Sequence, residues 1–416
     1  MKQVLMIAFH FPPLAGSSGI QRTLRFAAHL PSFGWQPTVL TAHPRAYERT
    51  SQDLMSEVGP DVAVERTFAL DTRRHLSARG KYPWWLASPD RWTSWRWGAA
   101  LCGGSLIRRR RPDVLWSTYP IATAHVIGAD YHRRFGIPWV ADFRDPMAQD
   151  GYPADPRIWK AFKAIEQHTL ETARWSVFTT PGAARSYANR YPRFAPNIRV
   201  LPNGYDETSF AAVDGLMSEP LTPGAITLLH SGVVYPSERD PTCLFEALER
   251  LVSAGKFGQG RLKVRFRAPG NDAMLNELAR RHGLQAVVEV LPPTEYRHAL
   301  AEMLRADGLL ILQAANCNEQ IPAKLYEYLR AGRPILALTD PSGDTAGAVR
   351  GAGIGAIARL DSTDDIAVAL DAFVEAIREG RAVLPETSAV ARLERREQAR
   401  ELASLLDEAR VSVPAR

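Results

Sequence analysis

The stretch GLLILQAANCNEQIPAKLYEYLRAGRPILAL, residues 308–338, reads as a complete strand–helix–strand unit. Residues 308–312 form a short unbroken apolar run, as a strand covered on both faces requires. Pro322 suits the first turn of a helix, where its missing N–H would have had no intrahelical acceptor. Gly332 ends that helix at residue 331, because glycine takes the left-handed closing conformation at little cost. A second strand, 334–338, follows at once. Two such strands joined by one helix form a parallel pair with a right-handed crossover.

The same alternation runs outward in both directions. Around this unit, strands are expected at 225–231, 262–268 and 287–291, with helices at 241–254, 272–282, 295–305 and 364–379. Toward the N-terminus, strands are expected at 4–9, 37–41, 62–66, 113–117, 138–142, 176–180 and 198–201. Helices at 20–33, 122–135, 157–173 and 182–191 lie between several of them. Residues 204–224 are polar and broken by Pro220 and Pro223, and read as the connection between two domains. The fold class is therefore α/β, with a doubly wound domain over 1–205 and a second over 206–388. A charged amphipathic helix at about 389–416, with Leu393, Ala399, Leu402, Leu405 and Leu406 as its apolar stripe, is assigned to the first domain.

Composition excludes several classes. The 416 residues are 45% hydrophobic and 23% charged, which is ordinary for a globular chain and rules out disorder, collagen and coiled coils. Three cysteines in no Cys/His cluster point away from disulfides and zinc, and toward a reducing cytoplasmic setting. No run reaches the roughly 18 apolar residues of a membrane span. The apolar start runs into Pro12-Pro13 and carries no small-residue cleavage site, so it reads as a first strand rather than a leader.

The net charge of +6 is unevenly placed. Between Arg66 and Arg111 stand eleven basic residues against Asp71 and Asp90, together with five of the ten tryptophans. Arginine beside tryptophan suits an anionic membrane surface, where cations meet headgroups and indoles sit at the boundary. Arg73, Arg74, Trp84, Trp85, Trp92, Trp95, Arg108 and Arg109 are the expected membrane contacts. A solvated loop beside a core-facing aromatic helix, or a single-stranded nucleic-acid surface, would have the same composition.

Three loops carry chemistry. The first strand ends in HFPPLAGSSG, residues 10–19, a glycine-rich turn into a helix in which Gly16 and Ser17 let backbone approach an anion. It is neither GxGxxG nor a Walker loop, which disfavours a nicotinamide cofactor. The strand at 225–231 leads into Gly232 and on to Arg239, where a guanidinium can grip a phosphate. Lys324, in the first turn of its helix, opposes the helix dipole unless an anion binds there. Glu319 and Glu327 flank it, with seven residues between them, and Glu327 suits a ribose diol. Asp142, Arg144 and Asp145 fall just beyond a strand's carboxyl end, where ligands gather in open α/β sheets. His125 is a weaker candidate for that side.

These motifs, in this order, resemble GT-B-fold glycosyltransferases of the family 4 type. The resemblance rests on Glu319 with Glu327, the loop at 10–19, PNGYD at 202–206 and the His230-Ser231-Gly232 loop with Arg239; WVADFRDP at 139–146 is similar to a branch that builds bacterial exopolysaccharides and surface glycans. It implies two Rossmann-like domains facing a cleft, with a C-terminal helix crossing back. It implies a retaining transferase that uses a UDP- or GDP-linked sugar and no further cofactor or metal. Arg239 and Lys324 would neutralise the diphosphate, Glu319 would touch the sugar and Glu327 the ribose, with Gly16, Ser17 and Gly232 lining the donor site. Asp142, Arg144, Asp145 and His125 would face a polyprenyl-diphosphate-linked saccharide at the cytoplasmic side of the membrane, and nucleic acid would have no part. Gln320-Ile321 and Asp240-Pro241 depart from the residues usual in that family. A nucleotide-sugar epimerase and a non-catalytic membrane or nucleic-acid binding module are the competing readings.

Overall fold

In the computed structural model, which describes residues 1–16, 19–215, 219–257 and 260–411, the chain divides into two compact units. The first comprises residues 1–203 and 395–416, the second residues 204–394.

The first unit is built on seven parallel strands: β1 (Lys2–Ile7), β2 (Trp35–Ala42), β3 (Ala63–Thr67), β4 (Val114–Thr118), β5 (Trp139–Arg144), β6 (Trp175–Phe178) and β7 (Ile198–Val200). Their order is β3-β2-β1-β4-β5-β6-β7. The apolar start of the chain is thus a central strand. Its period-two alternation sends Val4, Met6 and Ala8 to one core and Leu5, Ile7 and Phe9 to the other. The helix Arg395–Val411 closes the first of these cores with Ala399, Leu402 and Leu406.

The second unit repeats the plan with β8 (Ile226–Ser231), β9 (Leu262–Arg267), β10 (Val288–Leu291), β11 (Gly308–Gln313), β12 (Ile335–Thr339) and β13 (Ile357–Ala358), in the order β10-β9-β8-β11-β12-β13. All neighbours are parallel. In each sheet the order reverses beside the first strand of the unit, at β1/β4 and at β8/β11. The carboxyl ends of strands diverge there and leave room for a ligand.

Two expectations about the chain's course are corrected. Residues 204–215, read as the start of a linker, are folded into the second unit. Asp206 caps a short helix, Glu207–Ala211, by accepting from the Ser209 N–H at 3.0 Å, and Tyr205, Phe210 and Val213 are buried against Leu229, Leu309 and Tyr326. Arg330 binds Glu207 and Asp214 from above, so the polar residues that suggested a linker are spent on anchoring it. The amphipathic helix expected from 389 is two helices, Thr387–Ala391 and Arg395–Val411. Leu393, between them, packs in the second unit, while the stripe from Ala399 onward packs in the first. One apolar periodicity is served by two cores.

Candidate functional site

At the carboxyl end of β8 the chain turns through Gly232, whose φ of +106° suits glycine alone. The Gly232 N–H donates to the Arg267 carbonyl at 2.8 Å, and the Ser231 N–H to the Tyr328 hydroxyl at 2.7 Å. Opposite stands the helix Lys324–Ala331, which starts two residues later than Pro322 and ends at Gly332 with a φ of +66°. Lys324 is its first residue. A Cβ on Gly232 would lie 3.2 Å from the Lys324 Nζ, so the missing side chain is what admits the lysine.

The Lys324 Nζ lies 2.8 Å from Nε2 of His230, a fully buried residue of β8. The other ring nitrogen, Nδ1, is 3.0 Å from the Leu310 carbonyl. A carbonyl only accepts, so Nδ1 carries the proton and Nε2 offers its lone pair to the lysine. Arg239 reaches back to the Val233 carbonyl at 2.7 Å and lies over the Tyr235 ring. Among the described residues, no carboxylate forms an ion pair with Lys324 or Arg239. Desolvation, and then the Arg239 charge, hold Lys324 well below the usual lysine range, with Glu327 pulling the other way. Burial, and then Lys324, hold His230 well below the ordinary imidazole value. Lys324 and Arg239 thus stand close together without a counter-charge, and each works against the charge of the other.

The carboxylates around the cradle differ in setting. Glu327, half-buried, accepts from the Tyr296 hydroxyl at 2.7 Å, which shows it bonded to a hydroxyl donor. Glu319 is exposed on a loop fixed from both sides. Gln313 donates to the Cys317 and Gln320 carbonyls at 2.7 and 3.0 Å, and Asn318 donates to Asp340 at 2.7 Å. His230 opens the loop quoted from the sequence, but nothing in its spacing singles it out as a partner of Lys324.

In the first unit, two sequence candidates are corrected. Asp142 is fully buried and bound to Arg22, at 2.7 Å from Nε and 3.2 Å from Nη2. The same guanidinium donates to the Leu201 and Pro202 carbonyls at 3.0 Å each. Asp142 therefore anchors the end of the first unit and offers no face to an acceptor. His125 is also fully buried, 2.8 Å from the Ser117 hydroxyl, and burial pushes its pKa down to about 3. It is a core histidine. Its period on the inner face of the helix Thr123–Phe135 would have shown this.

Arg144 and Asp145 remain. Arg144 has a φ of +60°, held there by its carbonyl, which accepts from the Thr179 N–H at 3.0 Å and hydroxyl at 2.8 Å. Burial lowers the Arg144 pKa and raises that of Asp145, while the two charges support each other. His10, three residues beyond β1, is pushed down to about 4 by burial and then by Arg144. Next to it lies a pocket of about 260 Å³, lined by His10, Gly16, Tyr47, Glu48, Arg49 and Trp92. Tyr47, Glu48 and Arg49 follow β2 and carry no motif, so the sequence does not reveal them. Ser17 lies outside the described residues.

The basic aromatic window divides. Trp95 is fully buried, with Nε1 donating to the Thr67 hydroxyl at 3.0 Å. Trp92 packs on Phe9 with ring centroids 4.8 Å apart and donates to the Ala46 carbonyl at 3.1 Å. Neither is available as a membrane contact, because each indole N–H is spent inside the unit. Trp84, Trp85, Trp97 and Leu101 stay exposed, at 48%, 58%, 56% and 85%. Arg73, Arg74, Arg108 and Arg109 are exposed as well, although Arg109 pairs with Glu65 at 3.0 Å. Among the described residues no helix is long and apolar enough to cross a membrane.

Comparison with known proteins agrees with this architecture. Residues 18–204 match the family described as glycosyl transferase 4-like domain. A glycosyltransferase from Rickettsia africae ESF-5 has a similar structure, at a TM-score of 0.69 and 13% identity over 99% of both chains. So does HepE of Anabaena, solved in complex with UDP-glucose, at a TM-score of 0.66 and 14% identity over 98% of this chain and 100% of that one. Sucrose-phosphate synthase from Thermosynechococcus elongatus superposes at 0.62 with 13% identity, covering 99% of this chain and 97% of its own. No curated protein matches by sequence.

Proposed function

We propose that this chain, whose residues 18–204 match the glycosyl transferase 4-like family and whose two units have the GT-B fold, transfers a sugar from a nucleoside diphosphate to a lipid-linked saccharide. The observation that carries this reading is the pair of cations, Lys324 and Arg239, at the switch point of the second unit with no carboxylate paired to either among the described residues. Glycosyl transfer builds negative charge on the departing diphosphate. Fixed cations aimed at that charge stabilise the transition state without reorganisation, and supply what a divalent ion would otherwise supply. Glu327 takes the donor's ribose hydroxyls and Glu319 the sugar. Retention follows from attack on the face the diphosphate leaves, with a leaving phosphate oxygen accepting the acceptor's proton. In the first unit, Arg144, Asp145 and the pocket beside His10 receive the acceptor. The exposed Trp84, Trp85, Trp97 and Leu101, with Arg108 and Arg109, hold the enzyme on an anionic membrane, as befits an acceptor of exopolysaccharide or surface-glycan synthesis.

Calorimetric titration of UDP, GDP, ADP and CMP with EDTA present tests the donor site. One diphosphate should bind, and Lys324→Met should weaken it. Binding by none of them overturns the reading. Co-sedimentation with vesicles containing anionic lipid tests the surface. Binding at low salt should fall in a Trp84→Ala/Trp85→Ala variant, and absence of binding by the wild type overturns the membrane assignment.

A further inference from the structure

His230 opens the loop that carries Gly232 and Arg239, but the sequence gives it no role of its own at the donor. It is nevertheless the one hydrogen-bond partner of Lys324 among the described residues. Its ring is fully buried, tilted against Phe266 at a centroid distance of 5.8 Å, and fixed in the Nδ1–H form by the Leu310 carbonyl. Nε2 faces the Lys324 Nζ at 2.8 Å. An ammonium has three protons. With one donated to His230, the others are aimed away from the ring, beside Gly232, whose lack of a side chain leaves that space open.

The charged and titratable groups facing Lys324 come from three segments. His230 comes from β8, Arg239 from the loop after it, and Glu327 and Tyr328 from the helix that Lys324 begins. Glu327, the only carboxylate among them, is also the acceptor of the Tyr296 hydroxyl. We infer that His230 is the positioning residue of this cradle: by accepting from Lys324 it aims the Nζ at the anion, and proton uptake on diphosphate binding reports on the pair. This rests on the reading that Lys324 and Arg239 bind the donor's diphosphate. The balance is simple. A bound phosphate shifts Lys324 toward the ammonium, and the proton this takes comes from solvent. Desolvation and the Arg239 charge favour the amine when the cradle is empty. Affinity is therefore greatest at low pH and falls as pH rises through the lysine's lowered value.

The test is calorimetry of UDP and GDP at pH 7 to 9, in pairs of buffers with different ionisation enthalpies. The nucleotide that binds wild type should take up protons at pH 8.5 and weaken at least tenfold from pH 7 to pH 9. Lys324→Met should bind it weakly with no proton uptake. His230→Phe should weaken binding about tenfold and move the pH profile to the acid side. His230→Gln, whose amide oxygen can still accept from the lysine, should recover most of both. A merely structural histidine would leave the profile in place. Wild-type binding without buffer dependence, or a His230→Phe profile equal to wild type, overturns the inference. Should His230→Phe fail to fold, the proton count of wild type against Lys324→Met decides it.

Binding by neither nucleotide would count against the donor reading, and the His230–Lys324 pair has its own readout in that case. The ¹⁵N signals of His230 should stay those of the neutral Nδ1–H form down to pH 5 and move in Lys324→Met. Signals of the other tautomer, or no response to that substitution, overturn the pairing.

Discussion

In the first unit, the Arg22 guanidinium meets Asp142 through two hydrogen bonds, and the remaining donors go to the Leu201 and Pro202 carbonyls. In the second unit, Lys324 and Arg239 stand near each other with a neutral imidazole and a backbone carbonyl as partners. Both clusters lie where parallel strands end. One is closed, with every charge answered by the fold. The other is open: among the described residues no carboxylate pairs with Lys324 or Arg239. A charged residue at a strand end marks a ligand site only when the fold leaves it unanswered.

The sharpest way to break this contrast is to remove Asp142. Asp142→Ala leaves the Arg22 charge buried without a partner and should cost about 3–5 kcal/mol of stability, read by urea unfolding. Replacing both by apolar residues, Arg22→Met with Asp142→Leu, should cost much less. Equal losses would mean that the pair does not act as a closed unit.

The next effect is on pH. Burial holds His125 at about 3 in the folded chain, against 6.5 when unfolded. Below pH 6.5 the unfolded state therefore binds the extra proton. Stability from this group is fully present above 6.5 and falls by about 1.4 kcal/mol per pH unit as pH drops toward 3. A His125→Phe variant should show a flatter acid limb in urea midpoints measured from pH 7 to 4.

Lys324→Met should behave in the opposite way to Asp142→Ala. It removes a charge that the fold does not pair, so the thermal midpoint should hold or rise. Diphosphate affinity should fall about 10- to 100-fold, the worth of a charge-assisted hydrogen bond of about 1.5–3 kcal/mol. A lysine that proved essential for folding would erase the difference between the two clusters. The smallest expected effect is that of Gly232→Ala. Its positive φ should cost about 1 kcal/mol, and crowding of the Lys324 Nζ should weaken diphosphate binding several-fold in the same calorimetry.

Most of the architecture was legible in the sequence. Strands buried on both faces read as unbroken apolar runs, and parallel pairing follows from the helices between them. The regions that misled were those where one local signal has two tertiary outcomes. Pro220 and Pro223 mark a break in regular structure, yet the residues before them pack into the second unit through Tyr205, Phe210 and Val213. Tryptophan among arginines is the same composition whether the indole faces solvent, as Trp84 and Trp85 do, or spends its N–H inside, as Trp92 and Trp95 do. The turn at Gly232 and the helix start beside Lys324 were legible because glycine and proline signals are local. Tyr47, Glu48, Arg49 and Tyr296 follow no such rule.

By itself, then, the sequence determined the alternation of strand and helix, the two sheets and the loops placed at their carboxyl ends, because periodicity and turn chemistry are local. Only the tertiary structure decided which charges are free. Asp142 and Lys324 are equally polar on paper, and each stands beside a strand end or a helix start. Arg22, 120 residues before Asp142, closes one of them. His230, 94 residues before Lys324, holds the other open. Partners at that distance leave no trace in local spacing, and burial sets the strength of each charge only after the fold has brought them together.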